Sequence, residues 1–332
     1  MPPSNAEARD LENLEFLARV ASRYYEDGLT QHQISEELGY SRSAISRFLS
    51  KAREVGVVEI RVHHPLQRST EMENALRERF GLKTVRVLNR LALDYERTLD
   101  RIGSLGARLV EEMVSDDTKL GVSWGTAVYE VAHAMRYTYL PNVTVIQLIG
   151  ALGTPDPQID GVELARTYAG IFGGRYRILP APAIVESPEV RNALLADRPI
   201  RETLEQARKV DYAIVGIGTT DPSMSSLVRA EYLTEKEIRE LADAGAVGDV
   251  CAIHFDLHGN ILDLPIAHRV VGIRADDLKS IPVTVGVAAG EVKAKAILGA
   301  LNARLINALV TDDSAARTIL ALMENSSDQS EK

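Results

Sequence analysis

A chain of 332 residues, 45% apolar and 26% charged, has the length for two or three globular domains and the composition of neither a disordered nor a fibrous protein. Its one cysteine, Cys251, excludes an internal disulfide framework, no apolar run reaches membrane-spanning length, and Met1-Pro2-Pro3-Ser4-Asn5 lacks a secretory pattern, so the expected compartment is the cytoplasm, with no membrane partner. The net charge of −9 argues, taken alone, against a nucleic-acid partner, but the field that meets phosphate decays over roughly 8–10 Å in physiological salt, so local balance decides.

Residues 10–27 carry Leu11, Leu14, Leu17, Ala18, Ala21, Tyr24 and Tyr25 at helical spacing and stop at Asp27-Gly28. Two short amphipathic helices follow, hinged at Gly39. Ile34 and Leu38 form the apolar ridge of the first, and Ile45, Phe48, Leu49 and Ala52 that of the second. Ser41 stands at the N-cap, where a hydroxyl accepts an orphan N–H of the first turn. With the ridge buried, Arg42, Ser43, Ser46 and Arg47 point outward, followed by Lys51 and Arg53 and preceded by Thr30 and Gln31 at the start of the first helix. Short polar and fork-shaped donors near a helix N-terminus are what the major groove of double-stranded DNA accepts. Between residues 40 and 64, Arg42, Arg47, Lys51, Arg53 and Arg61 against Glu54 and Glu59 leave a local charge of five minus two, +3. That balance predicts modest non-specific affinity for DNA. Val57-Val58-Glu59-Ile60-Arg61-Val62 alternates as the strand of a wing, closed by Pro65, with His63-His64 at its exposed tip. A winged helix-turn-helix domain over residues 1–64 is expected.

A connecting helix at 70–80 ends at Gly81, within a linker spanning 65–82. From 83 to 324 apolar runs at 84–88, 119–122, 143–149, 176–179, 212–217, 250–255, 269–273 and 283–287 alternate with helical patterns at 97–114, 127–135, 161–172, 189–196, 200–210, 235–244 and 292–309. Short buried strands alternating with helices predict an α/β domain with a doubly wound, mostly parallel sheet. Residues 325–332 are polar and expected to be a disordered tail.

In such sheets ligands bind beyond the carboxyl ends of the strands. The turn Ser123-Trp124-Gly125-Thr126 offers hydroxyls, a close backbone approach and free amides for an anion, and equally suits a plain tight turn with Thr126 as N-cap. Gly290 opens a helix whose first turn holds Lys293, a cation the helix dipole disfavours; a bound phosphate accounts for it, as does a solvated lysine offset by Glu291. Gly150 and Gly218 leave apolar strands as crevice walls or as ordinary strand exits, with Asp160 in the loop after the first. His254-Phe255-Asp256-Leu257-His258 has no further ligand cluster to complete a metal site, so no metal is expected, and Asp256 reads as an acceptor for sugar hydroxyls.

Taken together, Leu29-Thr30-Gln31, Ile34-Ser35, Leu38-Gly39, Ser41-Arg42, Ile45-Ser46-Arg47 and Ala52-Arg53 resemble the DNA-binding head of the SorC/DeoR-type sugar-binding transcriptional regulators of bacteria. Gly121-x-Ser123-Trp124-Gly125-Thr126, Gln147-Leu148-x-Gly150, Gly245-Ala246-Val247-Gly248-Asp249, Gly290-x2-Lys293 and Leu309-x-Thr311-Asp312 extend the resemblance over nearly the whole chain. It implies an effector domain like sugar-phosphate isomerases and deaminases in fold, in which Ser123, Gly125, Thr126 and Lys293 hold the phosphate of a sugar or polyol effector, with Gly150, Gly218 and Asp256 next. It also implies a homo-oligomer, dimer or tetramer. Gly150-Ala151-Leu152-Gly153 lacks the adjacent glycine pair of many relatives, so the particular sugar does not carry over. The expected function is effector-controlled regulation of a carbohydrate or polyol operon, with no cofactor and no catalytic residues; the alternative is a sugar-phosphate isomerase or deaminase fused to a DNA head, which needs a general base converging on the crevice.

Overall fold

The computed structural model describes residues 5–58, 66–153 and 156–330, with side chains described between 13 and 324. The chain divides into two compact units, residues 1–65 and 66–332. Among its described residues the first holds three helices, α1 (Asn5–Tyr25), α2 (Gln31–Leu38) and α3 (Arg42–Glu54). A capping box opens α2: the Gln33 N–H donates to Thr30 Oγ1 at 3.3 Å and the Thr30 N–H to Gln33 Oε1 at 2.9 Å. Gly39, left-handed at φ 71°, closes it. Two residues on, Ser41 Oγ accepts the Ala44 N–H at 3.2 Å and α3 begins. Val20, Ile34, Ile45 and Ala52 are fully enclosed between the helices. Phe16, Tyr40 and Phe48 pack edge to face with centroids 5.5, 5.1 and 5.3 Å apart, which pins the α2–α3 turn on α1. Beyond Val58, the expected wing strand and its His63-His64 tip fall on residues 59–65, outside the described residues.

The second unit opens with α4 (Thr70–Phe80), β1 (Thr84–Leu88), α5 (Tyr95–Met113), β2 (Lys119–Val122), α6 (Thr126–Ala134), β3 (Thr144–Gln147), α7 (Gly161–Phe172) and β4 (Arg175–Arg177). There follow α8 (Pro188–Ala196), α9 (Arg198–Ala207), β5 (Tyr212–Gly216), β6 (Gly218–Thr219), α10 (Ser226–Arg229), α11 (Glu235–Asp243), β7 (Gly248–Val250) and β8 (Ile253–Phe255). The unit ends with α12 (Ala275–Ser280), β9 (Val283–Val287), α13 (Ala294–Asn302), β10 (Ala308–Asp312) and α14 (Asp313–Ser330). Seven parallel strands run in the order β1-β10-β9-β5-β2-β3-β4. Successive side chains of a strand serve opposite faces. Val145, Ile214 and Val310 pack against α5, α6 and α7, while Ile146, Val215 and Leu309 pack against α4, α13 and α14. From β2 the chain steps outward through β3 to β4; from β5 it steps the other way through β9 to β10. The order therefore reverses between β2 and β5. A separate antiparallel sheet, β6-β7-β8, adjoins that point through β6, two residues after β5.

Three expectations of secondary structure change. The run at 250–255 is a hairpin, because Cys251 and Ala252 both take left-handed backbone (φ 51° and 57°) and turn β7 back as β8. The run at 269–273 makes only isolated bridges, Val270 to Ile184 and Gly272 to Ile149, so it lines loops rather than joining the sheet. The helix expected at 292–309 stops at Asn302; left-handed Arg304 (φ 55°) turns the chain, and Ala308–Asp312 becomes a strand between β1 and β9. Helix α14 runs as far as Ser330, and neither glycine nor proline stands in it. Helix α4, which falls within the expected linker, packs on β1: Leu76 is enclosed, and Glu73 pairs with Arg68 and accepts the Val87 N–H of β1 at 2.9 Å.

Candidate functional site

A cavity of about 580 Å³ opens where the strand order reverses, beyond the ends of β2, β5 and β9. Ser123, Trp124 and Gly125 leave β2 into it, Gly216, Ile217 and Gly218 leave β5, and Ala288 and Ala289 leave β9. Helix α6 starts at its edge. Gly125 (φ 112°) occupies the N-cap and has no side chain to bond the first turn, so the amides at the start of α6 keep their donor capacity. Ser123 is buried and braces the floor: its Oγ accepts the Gly216 N–H at 3.2 Å, tying β2 to β5. Thr126 and Ala127 present the first turn of α6 to the cavity.

Lys293 enters from the 3-10 turn Glu291–Lys293 that precedes α13. Its neighbours Glu291, Val292 and Lys295 are exposed, but Lys293 is partly buried and its Nζ donates to Ile217 O at 2.9 Å. Burial lowers its pKa to about 8, Asp249 and Asp221 working upward against that and Arg229 adding to it. The turn is fixed from below. The carboxylate of Asp312, fully buried at the end of β10, accepts the Gly290 N–H at 2.8 Å and the Ser314 hydroxyl at 2.6 Å. Asp249, on β7, lies against the Gly218 backbone and accepts the Ala252 N–H at 3.1 Å. A Cβ on residue 218 would stand 1.9 Å from Asp249 Oδ1, so only glycine admits that carboxylate. Arg229, at the end of α10, lines the cavity and makes no ion pair among the described residues.

Tyr95, Glu96 and Leu99 from the first turns of α5, with Glu130 from α6, line the cavity as well. Burial raises the Tyr95 phenol, Arg229 pulling it down and Asp312 pushing it up. Burial, then the neighbouring Asp100 carboxylate, raises the pKa of Glu130. Burial likewise pushes the thiol of Cys251, another lining residue, upward, which makes it a poor nucleophile.

Of the effector residues expected from sequence, Ser123, Gly125, Thr126, Gly218 and Lys293 come together in this cavity. Gly150, Asp160 and Asp256 stand outside its lining. A Cβ on Gly150 would meet Pro182 O at 2.4 Å, so that glycine lets two loops cross. Asp160 caps α7 through the Val162 N–H and ties the loop before it through the Gly153 N–H at 2.7 Å. Asp256 is consumed by its own turn, accepting from the His258 and Asn260 N–H groups and the Asn260 amide. Asp249, Arg229, Tyr95 and Glu130 were not among the expected residues. Gly248-Asp249 is visible in the sequence only as a family mark, and nothing local signals that Glu130 faces a cavity.

In the first unit Arg42, Ser43, Ser46, Arg47, Lys51 and Arg53 are all exposed on α3, opposite the buried Ala44, Ile45, Leu49 and Ala52. Arg42 and Arg47 have no ion pair among the described residues, whereas Lys51 reaches Glu54 at 3.2 Å and Arg53 donates to Ser50 Oγ at 3.3 Å. Thr30 and Ser41 spend their hydroxyls on helix caps. Gln31, partly buried, begins α2.

The family model described as "Putative sugar-binding domain" matches residues 64–321, and that of "Sigma-70, region 4" matches residues 18–55. The chain is 36% identical over 311 residues to the transcriptional regulator LsrR of Enterobacter sp. (strain 638), covering 93% of each chain. It is 32% identical to the deoxyribonucleoside regulator of Bacillus subtilis (strain 168), covering 94% of this chain and 99% of that one. Among solved structures, the full-length sorbitol operon regulator SorC from Klebsiella pneumoniae superposes with a TM-score of 0.71 at 28% identity, over 92% of this chain and 98% of that one. With a helix-turn-helix unit before a sugar-binding domain, the chain belongs to the SorC/DeoR-type family of sugar-binding transcriptional regulators.

Proposed function

We propose that this chain regulates transcription of a carbohydrate or polyol utilisation operon under the control of a phosphorylated sugar or polyol bound in the cavity. The observation that carries this reading is the meeting of Lys293 and the uncapped start of α6 in one cavity, with the unpaired Arg229 on its wall. Charge-assisted hydrogen bonds from Lys or Arg to phosphate are about twice as strong as neutral ones, and free helix amides add donors without a side-chain entropy cost. Ser123 ties the ends of β2 and β5 together at a fixed spacing, and Asp249 presents a carboxylate to hydroxyls beside Lys293. The output surface is the exposed row from Arg42 to Arg53 on α3, and two-fold operators call for at least a dimer. The effector changes DNA affinity only if it binds one arrangement of subunits better than the other.

The test is fluorescence anisotropy of the chain's own upstream DNA with the full-length protein, with and without sugar monophosphates. We expect saturable binding that one class of sugar phosphate shifts at least tenfold, and that Arg47→Ala weakens by roughly 1–3 kcal/mol through lost base contacts. The same compounds are expected back unchanged after incubation. No binding to any upstream segment, or steady turnover of a sugar phosphate, would overturn the reading.

A further inference from the structure

Two cations and three carboxylates line the cavity. The cations are Lys293 and Arg229 and the carboxylates Asp249, Glu96 and Glu130, so the formal charge of the lining is −1. The carboxylates are not equivalent. Asp249 lies beside Lys293 and is held by the Ala252 N–H. Glu96 and Glu130 belong to the wall formed by α5 and α6, and neither has an ion pair or hydrogen bond among the described residues. The next acid along, Asp100, bears on Glu130. Glu96 is exposed at the rim, whereas the position of Glu130 is fixed by packing: a Cβ on Gly103 of α5 would meet the Glu130 backbone at 2.5 Å, so the two helices are in backbone contact where Glu130 projects.

We propose that the cavity accepts an effector with a single anionic group, held by Lys293 and Arg229, and a neutral hydroxyl-bearing body whose O–H groups donate to Glu96 and Glu130; a second anionic group is rejected. This rests on the phosphorylated-effector reading above. Unpaired carboxylates are acceptors with no donor of their own, so a polyol satisfies them, whereas a phosphate or carboxylate at the same place meets like charge. The charge balance points the same way. A monophosphate brings at most two negative charges to two cations, while a bisphosphate brings two more with nothing left to meet them.

The experiment is calorimetric titration of the full-length protein with matched probes: inorganic phosphate, ribose 5-phosphate, fructose 6-phosphate, fructose 1,6-bisphosphate and 6-phosphogluconate. The expected result is that inorganic phosphate and at least one monophosphate bind, while the bisphosphate and the phosphorylated acid bind at least tenfold more weakly than the better monophosphate. Glu96→Gln/Glu130→Gln, its melting temperature checked against the parent, is expected to narrow that ratio at least threefold. Equal or tighter binding of either two-anion probe, or an unchanged ratio in the folded double variant, overturns the proposal and leaves the phosphate reading standing. Binding of no probe, inorganic phosphate included, overturns the phosphate reading and this proposal with it.

Discussion

Lys293 couples the cavity to pH in two opposite ways. Burial holds its pKa near 8, below the ordinary lysine value of about 10.4. Between those two values the unfolded chain binds more protons than the folded one, so this residue makes stability rise with pH across that window. Anion binding runs the other way. A phosphate needs the ammonium form, which is nearly complete at pH 7 and about half lost at pH 8. Affinity for a sugar monophosphate should be nearly level from pH 7.0 to 7.5 and then fall, approaching tenfold per pH unit above 8, with proton uptake on binding at pH 8. Titration in two buffers of different ionisation enthalpy measures both quantities. Lys293→Met should weaken binding by about 1.5–3 kcal/mol, the range for a hydrogen bond to a charged group, and abolish the proton uptake. An affinity that stays level to pH 9 would remove Lys293 from the anion site.

At the level of elements, α5 and α6 lie closer than their sequences announce. Gly103 and Gly106 sit one turn apart on α5, and Cβ atoms there would meet the Glu130 backbone at 2.5 Å and Val131 Cγ2 at 2.6 Å. Gly103→Ala gains about 1 kcal/mol of helix propensity but forces two backbones apart, at a cost typical of overpacking, about 1–3 kcal/mol or more. Gly170→Ala in α7 is the control: nothing lies within 4 Å of its Cβ, so only the propensity gain of roughly 0.5–1 kcal/mol remains. Urea melts of the two variants should therefore move in opposite directions, and a Gly103→Ala variant as stable as its parent would refute the contact. Helices and strands with clear caps were legible in the sequence, as at Gly39, Ser41 and Gly81. Strand β10 was hidden because Ala300 to Leu309 contains neither glycine nor proline and is apolar at either period; the turn there rests on left-handed Arg304. Cys251-Ala252 hid the β7–β8 hairpin for the same reason, since neither residue advertises positive φ. The site was half legible. Turn chemistry marks Ser123, Gly125, Thr126 and Lys293, but Arg229 and Glu130 reach the cavity only because helices distant in sequence pack around the β2–β5 reversal. Asp160 and Asp256 stand outside the lining, and their carboxylates, which accept from their own loops, look in sequence like carboxylates awaiting a ligand.

For the whole molecule, charge sets how DNA is gripped. The chain carries −9 overall, and its DNA-reading stretch only +3, so a single head has few cations with which to displace counterions from phosphate. Two heads on one oligomer, the arrangement proposed above, would relieve that limit without new contacts, because the second binds at the high local concentration set by the first. This arrangement has a geometric signature. Two copies of α3 related by a two-fold axis meet the same groove face only when half-site centres lie a whole number of helical turns apart, about 10–10.5 base pairs or a multiple. Inserting five base pairs between the half-sites of the protected upstream region should therefore cut affinity to nearly that of an isolated half-site, at least tenfold, while inserting ten should restore most of it. Anisotropy titrations at one fixed salt concentration make the comparison, since affinity for phosphate changes steeply with salt. Equal affinities for the five- and ten-base-pair insertions would mean that each head acts alone, and the paired grip on the operator would have to be abandoned.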